Sequence, residues 1–394
     1  MTEQSPADDL AAEFEQQYGY APAGVWSAPG RVNLIGEHTD YNRGLCLPIA
    51  LPQRAWLAAS SRDDDVARLT SLDLADTTQV SLAEVAPGRP TGWSAYQAGT
   101  LWAMRQAGLP VGGVDAVLRS EVPIGSGLSS SAAVEACLAV AASHLFDLGL
   151  TSDDIGRARL VTFCQQAENV IVGAPTGGLD QTASLRSQAG HALLIDFDEL
   201  DAAGLPAARL VPFDPGADGL VLLVVNTRAK HANLDGQYAA RRAACEAAAQ
   251  ALGVASLREI TPETLPDALS RLDDAAQVRA VRHVVTENAR VPQAVEAAAR
   301  RDWARFGRLM TAAHASQRDD YRISCPESDC VCEVAAASGA LGARQTGGGF
   351  GGCVIVLLDA ALVAGFNDAV MAAYEAAGWA HPDVTAVEAG APAG

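Results

Sequence analysis

Lysine is almost missing from this sequence of 394 residues: Lys230 is the only one, so 27 of the 28 basic residues are arginines. This excludes phosphate-binding mechanisms that need a lysine elsewhere, including the P-loop lysine and the strand lysine of protein kinases. Long apolar runs are missing too, and the acidic N-terminal stretch has no apolar signal region. We therefore predict neither a membrane span nor secretion.

Basic residues are also few overall, 28 against 47 acidic ones, which gives a formal net charge of −19. This balance argues against nucleic-acid and anionic-membrane partners, because both reward basic patches. The eight cysteines include no C-x-x-C, and Cys330 and Cys332 have no partner pair at zinc spacing. A reducing, cytoplasmic setting without a zinc site is predicted.

What is present is an apolar fraction of 49%, enough for two or three domains with sizeable cores. Apolar runs predict strands such as 220–225 and 353–358, and helical patterns occur in both halves, for example at 94–107, 129–147, 152–172, 277–288 and 291–300. This mixture predicts an α/β or α+β protein. The Pro/Gly-rich stretch 210–219 is the best candidate for a domain boundary.

The stretch PIGSGLSSSAAVEAC, residues 123–137, follows a predicted strand and leads into a predicted helix. That order aims free backbone N–H groups at an anion, and the helix N-terminus adds partial positive charge. A divalent cation would replace the missing lysine, and Ser131 at the helix start is a natural Mg²⁺ ligand. A solvated Gly/Ser turn that caps a helix remains the alternative.

A second glycine cluster, TGGGFGGCVIVLL at 346–358, contains a G-x-G-x-x-G spacing. A dinucleotide-binding fold needs a strand before these glycines and a helix after them. Here the predicted strand follows instead. Close approach of the backbone to a ligand or another loop is the better interpretation.

Two carboxylates stand out in the first half. Glu168 shares one face of the helix predicted at 152–172 with the apolar Val161, Cys164 and Ile171, so it should be buried and needs a metal ion or an arginine as partner. These two alternatives are equally compatible with the spacing. Asp180 lies in GGLDQTAS, which we predict to be a loop of small residues.

The stretch GRVNLIGEHTDYNRG, residues 30–44, crowds Glu37, His38 and Asp40 into a short turn after an apolar strand, with Arg31 upstream. Clustered acceptors suit a polyhydroxylated ligand, because each sugar hydroxyl offers a donor. A polar surface turn is the alternative.

Together these motifs resemble the galactokinases of the superfamily of galacto-, homoserine, mevalonate and phosphomevalonate (GHMP) kinases. GRVNLIGEHTDYN resembles the sugar signature (25–52), PIGSGLSSSAA the phosphate loop (123–135), and TGGGFGGC the third glycine motif (346–352). GGLDQTAS, YAARR and RDDYRISCPE match as well, so the resemblance covers nearly the whole chain.

The resemblance implies a two-domain fold with the active site in the cleft between the domains. Residues 1–212 would form an α/β domain like domain 2 of ribosomal protein S5, and 213–394 a ferredoxin-like α+β domain. It implies an ATP-dependent sugar kinase that makes α-D-galactose 1-phosphate and ADP, the first committed step of galactose use by the Leloir pathway. A monomer or weak homo-oligomer is expected.

The resemblance also assigns residue roles. Asp180 would be the proton acceptor and Arg31 the transition-state stabiliser, and the resemblance favours the metal for Glu168, with Mg²⁺ on Ser131 and Glu168. Lys230 falls where the family has an arginine. The residues implied to bind galactose are Glu37, His38, Thr39, Asp40, Gly177 and Tyr238, and those implied to bind ATP are Ser71, Gly125, Ser126, Gly127, Leu128, Ser129, Ser130 and Ser131.

Two alternative functions fit the same motifs. One is a kinase for a related sugar, such as N-acetylgalactosamine or L-arabinose, which would differ in the room beside the C2 or C5 substituent. The other is a non-catalytic sensor that binds galactose and ATP to control a partner. The presence of Ser131, Glu168 and Asp180 argues against the sensor.

Overall fold

The structure, a computed structural model, describes residues 5–174, 176–201, 204–229 and 234–394, without the side chains of residues 234 and 235. Lys230 lies outside the described residues. Within these ranges, no helix combines the length and apolar character needed to cross a bilayer.

The strands, numbered along the chain, are β1 (Gly24–Asn33), β2 (Leu45–Cys46), β3 (Pro48–Ser61), β4 (Val66–Ser71), β5 (Asp76–Ser81), β6 (Val114–Ser120), β7 (His191–Leu200), β8 (Pro206–Pro212), β9 (Leu220–Asn226), β10 (Gly342–Thr346), β11 (Cys353–Asp359) and β12 (Asp383–Val387). The predicted strands at 220–225 and 353–358 are confirmed as β9 and β11. The segment 210–219 joins β8 to β9, which belong to different sheets.

The helices are α1 (Pro6–Tyr18), α2 (Ser94–Gln106), α3 (Ser130–Leu145), α4 (Asp154–Gln166), α5 (Leu179–Arg186), α6 (Leu234–Leu252), α7 (Leu265–Ser270), α8 (Ala275–Ala299), α9 (Trp303–Ser316), α10 (Pro326–Ala337) and α11 (Val363–Ala377). A π-helical turn, Ala167–Val172, continues α4. The separate helices predicted at 277–288 and 291–300 are wrong, because α8 runs through Pro292 as one helix.

The described residues form three sheets. The first has the order β1-β3-β6-β4-β5, in which only β4 and β6 are parallel. The second has the order β10-β11-β9-β12 and the third the order β2-β7-β8, both antiparallel. Because β4 and β6 are parallel, their C-terminal ends lie on the same side of the first sheet. The chain leaves β6 there and enters the predicted phosphate loop.

The largest hydrophobic core is shared by both halves of the chain. It contains residues of β1, β3 and α3 together with Leu222, Val224, Ile355 and Leu357 from β9 and β11. The strands β9 and β11 are apolar along most of their length because both of their faces are covered. This packing fixes the predicted phosphate loop against the third glycine motif.

Candidate active site

Arg31 joins the predicted sugar motif to the predicted phosphate loop. It lies on β1 beside a register irregularity and is 7% exposed. Its backbone N–H donates to the carbonyl of Leu128 (3.1 Å) and its Nη1 to the carbonyl of Gly127 (2.7 Å). Its Nε and Nη2 lie 2.7 Å and 2.5 Å from Oδ1 of Asp180. Arg31 therefore fixes the Asp180 carboxylate relative to the loop.

Asp180 lies in the first turn of α5, so the prediction that it sits in a loop is wrong. The helix is short, and its polar residues other than Asp180 are buried like its apolar ones, so the sequence does not separate into an apolar and a polar face with a helical period. The hydroxyl of Ser129 donates to Oδ2 at 2.5 Å. Both carboxylate oxygens thus have donors, while the side chain keeps 26% of its surface exposed.

The phosphate loop has the backbone of an anion cradle. Gly125, Gly127 and Ser129 have φ values of 73°, 78° and 61°, and α3 starts at Ser130 with Ser131 in its first turn. The unpaired N–H groups at the start of this helix, with its partial positive charge, suit phosphate. The Ser126 hydroxyl donates to the carbonyl of Pro123 and thereby closes the turn.

Ser71 ends β4 and pairs with Leu118 of β6, close to where the chain enters the phosphate loop. Its hydroxyl accepts a 3.4 Å hydrogen bond from the N–H of Leu74. The predicted ATP residue therefore lies at the loop edge of the first sheet.

The third glycine motif packs directly on the phosphate loop. A Cβ on Gly352 would lie 3.0 Å from the carbonyl of Ser126, and one on Gly347 would lie 2.9 Å from the carbonyl of Gly127. The thiol of Cys353 donates to the Ser126 carbonyl at 3.1 Å. The close backbone approach predicted for this motif is thus confirmed, and its neighbour is the phosphate loop.

Glu37 is held by a buried ion pair from the other half of the chain. Nη2 of Arg344, on β10, donates to Oε2 of Glu37 at 2.7 Å, and the two side chains are 0% and 7% exposed. Burial raises the pKa of Glu37, while Arg344 and Arg31 oppose the rise. In the described part of the chain, Oε1 has only a 3.4 Å contact with Nδ2 of Asn33, so it is available to accept from a ligand hydroxyl.

His38 and Thr39 are buried as well, so the alternative of a polar surface turn fails. The Nε2 of His38 lies 3.1 Å from the carbonyl of Gly348 and must donate to it, so Nδ1 accepts from the hydroxyl of Tyr41 at 2.7 Å. Burial lowers the pKa of His38 to about 3, which keeps the ring neutral. The hydroxyl of Thr39 lies within hydrogen-bond distance of the carbonyls of Gly36 (2.9 Å) and Leu45 (2.7 Å) and donates its one hydrogen between them.

Asp40 faces the same space as Asp180. Burial, and then the Asp180 charge, raise the pKa of Asp40 to about 6. Gly177 approaches Asp40 so closely that any Cβ would overlap the carboxylate. Tyr238 of α6 lies beside the ring of His38, with 5.2 Å between ring centroids, and burial raises the pKa of its hydroxyl well above the ordinary value.

Two cavities meet at this place. The first, of about 160 Å³, is lined by Arg31, Glu37, His38, Asp40, Thr176, Gly177, Gly178, Leu179, Asp180, Tyr238, Gly347 and Gly348. The second, of about 220 Å³, is lined by Gly125 and Gly127 of the phosphate loop, by most of the third glycine motif and by Tyr238. Gly348 and Tyr238 border both cavities. The first offers carboxylates and the second backbone amides.

Ser131 and Glu168 form a set of oxygen donors that fits Mg²⁺. The Ser131 hydroxyl lies 3.3 Å from Oε1 of Glu168. The other partners of Glu168 are Gln181 and Thr176, and no arginine pairs with it in the described part of the chain. Burial, and then the charge of Asp180, raise the pKa of Glu168 to about 7. A hydroxyl and one carboxylate are a typical protein share of a Mg²⁺ site that phosphates complete.

Sequence reasoning missed two charged residues that hold the sugar motif, Arg344 and Glu287. Oε1 of Glu287, on α8, accepts from the N–H groups of Gly36 (2.9 Å) and Glu37 (3.2 Å), and Arg290 pairs with its other oxygen at 2.7 Å. Burial opposes ionisation of Glu287, but Arg290 and Arg344 outweigh it, so its pKa falls to about 2. The only feature that could have identified them is a charged residue within a helical or strand segment. Such residues occur at many positions, so this feature does not single out Arg344 and Glu287.

Comparison with known proteins agrees with this geometry. Residues 12–61 match the model of the galactokinase galactose-binding signature, 95–188 the GHMP kinase N-terminal domain, and 294–374 the GHMP kinase C-terminal domain. A galactokinase of Streptomyces coelicolor is 50% identical over 96% of this chain and 95% of its own length. One of Streptomyces lividans is 47% identical over 93% of this chain and 89% of its own.

The fold is also similar to that of a solved structure. The crystal structure of Lactococcus lactis galactokinase complexed with galactose matches 99% of this chain and 100% of its own, at 30% identity and a TM-score of 0.91. This chain belongs to the galactokinase family. The predictions of the two-domain GHMP kinase fold and of an ATP-dependent sugar kinase are confirmed, whereas the boundary between residues 212 and 213 stays a prediction.

Proposed function

We propose that this member of the galactokinase family transfers the γ-phosphate of ATP to the anomeric hydroxyl of α-D-galactose. The observation that carries the proposal is Asp180, which borders the carboxylate-lined cavity and is fixed by Arg31 to the phosphate loop. A sugar oxygen beside Asp180 would face a nucleotide seated on the loop amides. The relative of known structure was crystallised with galactose.

In the reaction, the C1 hydroxyl oxygen bonds to the γ-phosphorus while the bond to the bridging oxygen of ADP breaks. Asp180 receives the hydroxyl proton, and Arg31 neutralises charge on the transferred phosphoryl group. Proton transfer occurs late, because phosphoryl transfer through a loose transition state depends more on position and charge than on a strong base. Loop amides at the start of α3 hold the remaining phosphate oxygens.

Ser131 and Glu168 would hold Mg²⁺, which supplies charge neutralisation to the phosphates when bound. In the sugar cavity, Glu37 and Asp40 would accept from galactose hydroxyls. Gly177, without a side chain, lets the Asp40 carboxylate lie against the backbone. The buried ring of His38 would limit the room at the edge of the sugar cavity.

The experiment that tests the proposal is sugar-dependent release of ADP by the purified protein, with galactose, glucose, N-acetylgalactosamine and L-arabinose as acceptors. We expect the highest kcat/KM with galactose. A higher value with N-acetylgalactosamine or L-arabinose would favour the related-sugar kinase. Galactose binding without any turnover would favour the sensor.

A further inference from the structure

The two oxygens of the Glu168 carboxylate have unequal surroundings. Oε2 accepts from Nε2 of Gln181 at 2.6 Å and from the Thr176 hydroxyl at 3.2 Å. Among the described residues, Oε1 has a single, longer contact of 3.3 Å, with the hydroxyl of Ser131. Oε2 is therefore occupied by donors within the protein, and Oε1 is the oxygen left for a cation beside Ser131.

Gln181 is itself fixed by a second carboxyl group. Its side chain is fully buried, and Nε2 also donates to Oε2 of Glu135 at 3.0 Å. An amide nitrogen carries two hydrogens, so both are used on the two carboxyl groups. Rotating the amide by half a turn would lose both donations and aim the amide oxygen at Oε2 of Glu168. Glu135 and Glu168 together thus determine which way Gln181 points.

Glu135 lies on α3 one turn after Ser131, so the helix that carries one predicted metal ligand also supports the other. Glu135 is 0% exposed, and its Oε1 has no hydrogen-bond partner among the described residues. Burial, and then the charge of Glu168, raise the pKa of Glu135 well above the ordinary value. A neutral acid still supplies the acceptor oxygen that Gln181 requires.

We propose that Gln181 and Glu135 are positioning residues for magnesium, which hold the Glu168 carboxylate so that it presents Oε1 alone to a cation shared with Ser131. This inference rests on the proposed function, because it takes Ser131 and Glu168 as the magnesium ligands. Mg²⁺ demands near-ideal octahedral geometry and keeps several waters. A carboxylate that rotated freely would offer both oxygens and disturb that geometry.

The test measures binding of the non-hydrolysable ATP analogue AMP-PNP by calorimetry, with saturating Mg²⁺ and with EDTA. The ratio of the two dissociation constants reports magnesium coupling without any turnover. We expect Gln181→Met and Glu135→Met each to reduce this ratio about tenfold, since losing an outer-shell partner of a metal ligand costs 10- to 100-fold in metal affinity. Glu168→Ala gives the full loss for comparison.

Conservative and matched variants separate positioning from general damage. Glu135→Gln keeps an acceptor oxygen for Gln181 and is expected to retain the ratio within about twofold. Gln97→Met removes another fully buried glutamine, one whose amide has no partner in the described structure, and is also expected to retain it. Galactose affinity, measured without nucleotide, should stay unchanged in all these variants.

Two results would overturn the inference: an unchanged ratio in Glu135→Met, or a loss in Glu135→Gln as large as that in Glu135→Met. If Gln181→Met does not fold, Glu135→Met still tests the inference. Failure of the proposed function would look different. In that case the unmutated protein itself would show no galactose-dependent ADP release, or Glu168→Ala would leave the magnesium ratio unaltered.

Discussion

At the scale of single residues, the candidate site depends on a few charged side chains whose partners are all within the protein. Arg31 is buried and pairs with Asp180, and both residues line the first cavity. Burial of charge is costly unless each charge is paired. This internal pairing preorganises the site, which favours positioning as its main contribution to catalysis.

Replacing Asp180 by asparagine tests its role as proton acceptor. We expect kcat to fall by about 10²- to 10⁴-fold, because asparagine keeps the shape but cannot take the proton. Galactose should still bind, since Glu37 and Asp40 remain. Steady-state kinetics and calorimetric titration with galactose would measure both effects. Asp198→Asn, at an exposed aspartate, is the control, and near-normal kcat in Asp180→Asn would rule out the assignment.

Asp40 makes galactose binding depend on pH. With a pKa of about 6, the group is increasingly protonated below pH 6. A carboxylate that accepts from sugar hydroxyls favours its ionised form, so protons compete with galactose. We expect the dissociation constant to be flat above pH 7 and to rise about tenfold at pH 5. Calorimetry across this range would measure it, and Asp40→Asn should bind weakly with a flatter profile. Constant affinity of the unmutated protein would contradict the argument.

At the scale of elements, the sequence predicts the strands and helices that have a hydrophobic period or a recognisable motif. The prediction fails for elements whose polar residues are buried. The strands β9 and β11 and most helices follow from apolar patterns. Strand β10, GARQT, reads as polar yet is buried throughout, because Arg344 and its neighbours bond to the other half of the chain. Arg344 and Glu37 are 307 residues apart in sequence, so no local pattern reveals their pairing.

Gly30 tests the contact between β1 and the phosphate loop. A Cβ at this position would lie 2.6 Å from the carbonyl of Leu128, which accepts from the Arg31 N–H. Gly30→Ala must therefore displace the loop, and we expect kcat/KM for ATP to fall about a hundredfold, as for a 1 Å misplacement. Galactose affinity should change much less. Kinetics and calorimetry would separate the two effects.

The matched control is Gly365→Ala, because Gly365 lies in α11 with open space around it. This change should leave kinetics unaltered and stabilise the helix by about 0.5–1 kcal/mol. If Gly30→Ala lowered galactose affinity as much as kcat/KM for ATP, the prediction that it displaces the phosphate loop specifically would be wrong.

At the scale of the whole molecule, the two halves are joined by a continuous core and by buried charge. The second sheet contributes to the same core as the first. Arg344 crosses from the second half and donates to the carbonyl of Asn33 and to Glu37, both in the first half. The sugar motif is therefore held by the assembly of both halves, and we expect sugar binding and global stability to be coupled through this ion pair.

A double-mutant cycle on Arg344 and Glu37 measures that coupling. Arg344→Met leaves Glu37 buried without its ion-pair partner, and we expect it to lower the free energy of unfolding by about 3–5 kcal/mol. Adding Glu37→Gln removes that acidic group, so the double variant should be less destabilised than the sum of the single ones. Urea denaturation would give the values.

The exposed pair of Arg228 and Asp383 is the control, and Arg228→Met should cost less than about 1 kcal/mol. A loss in Arg344→Met no larger than this control would mean that the pair does not hold the halves together.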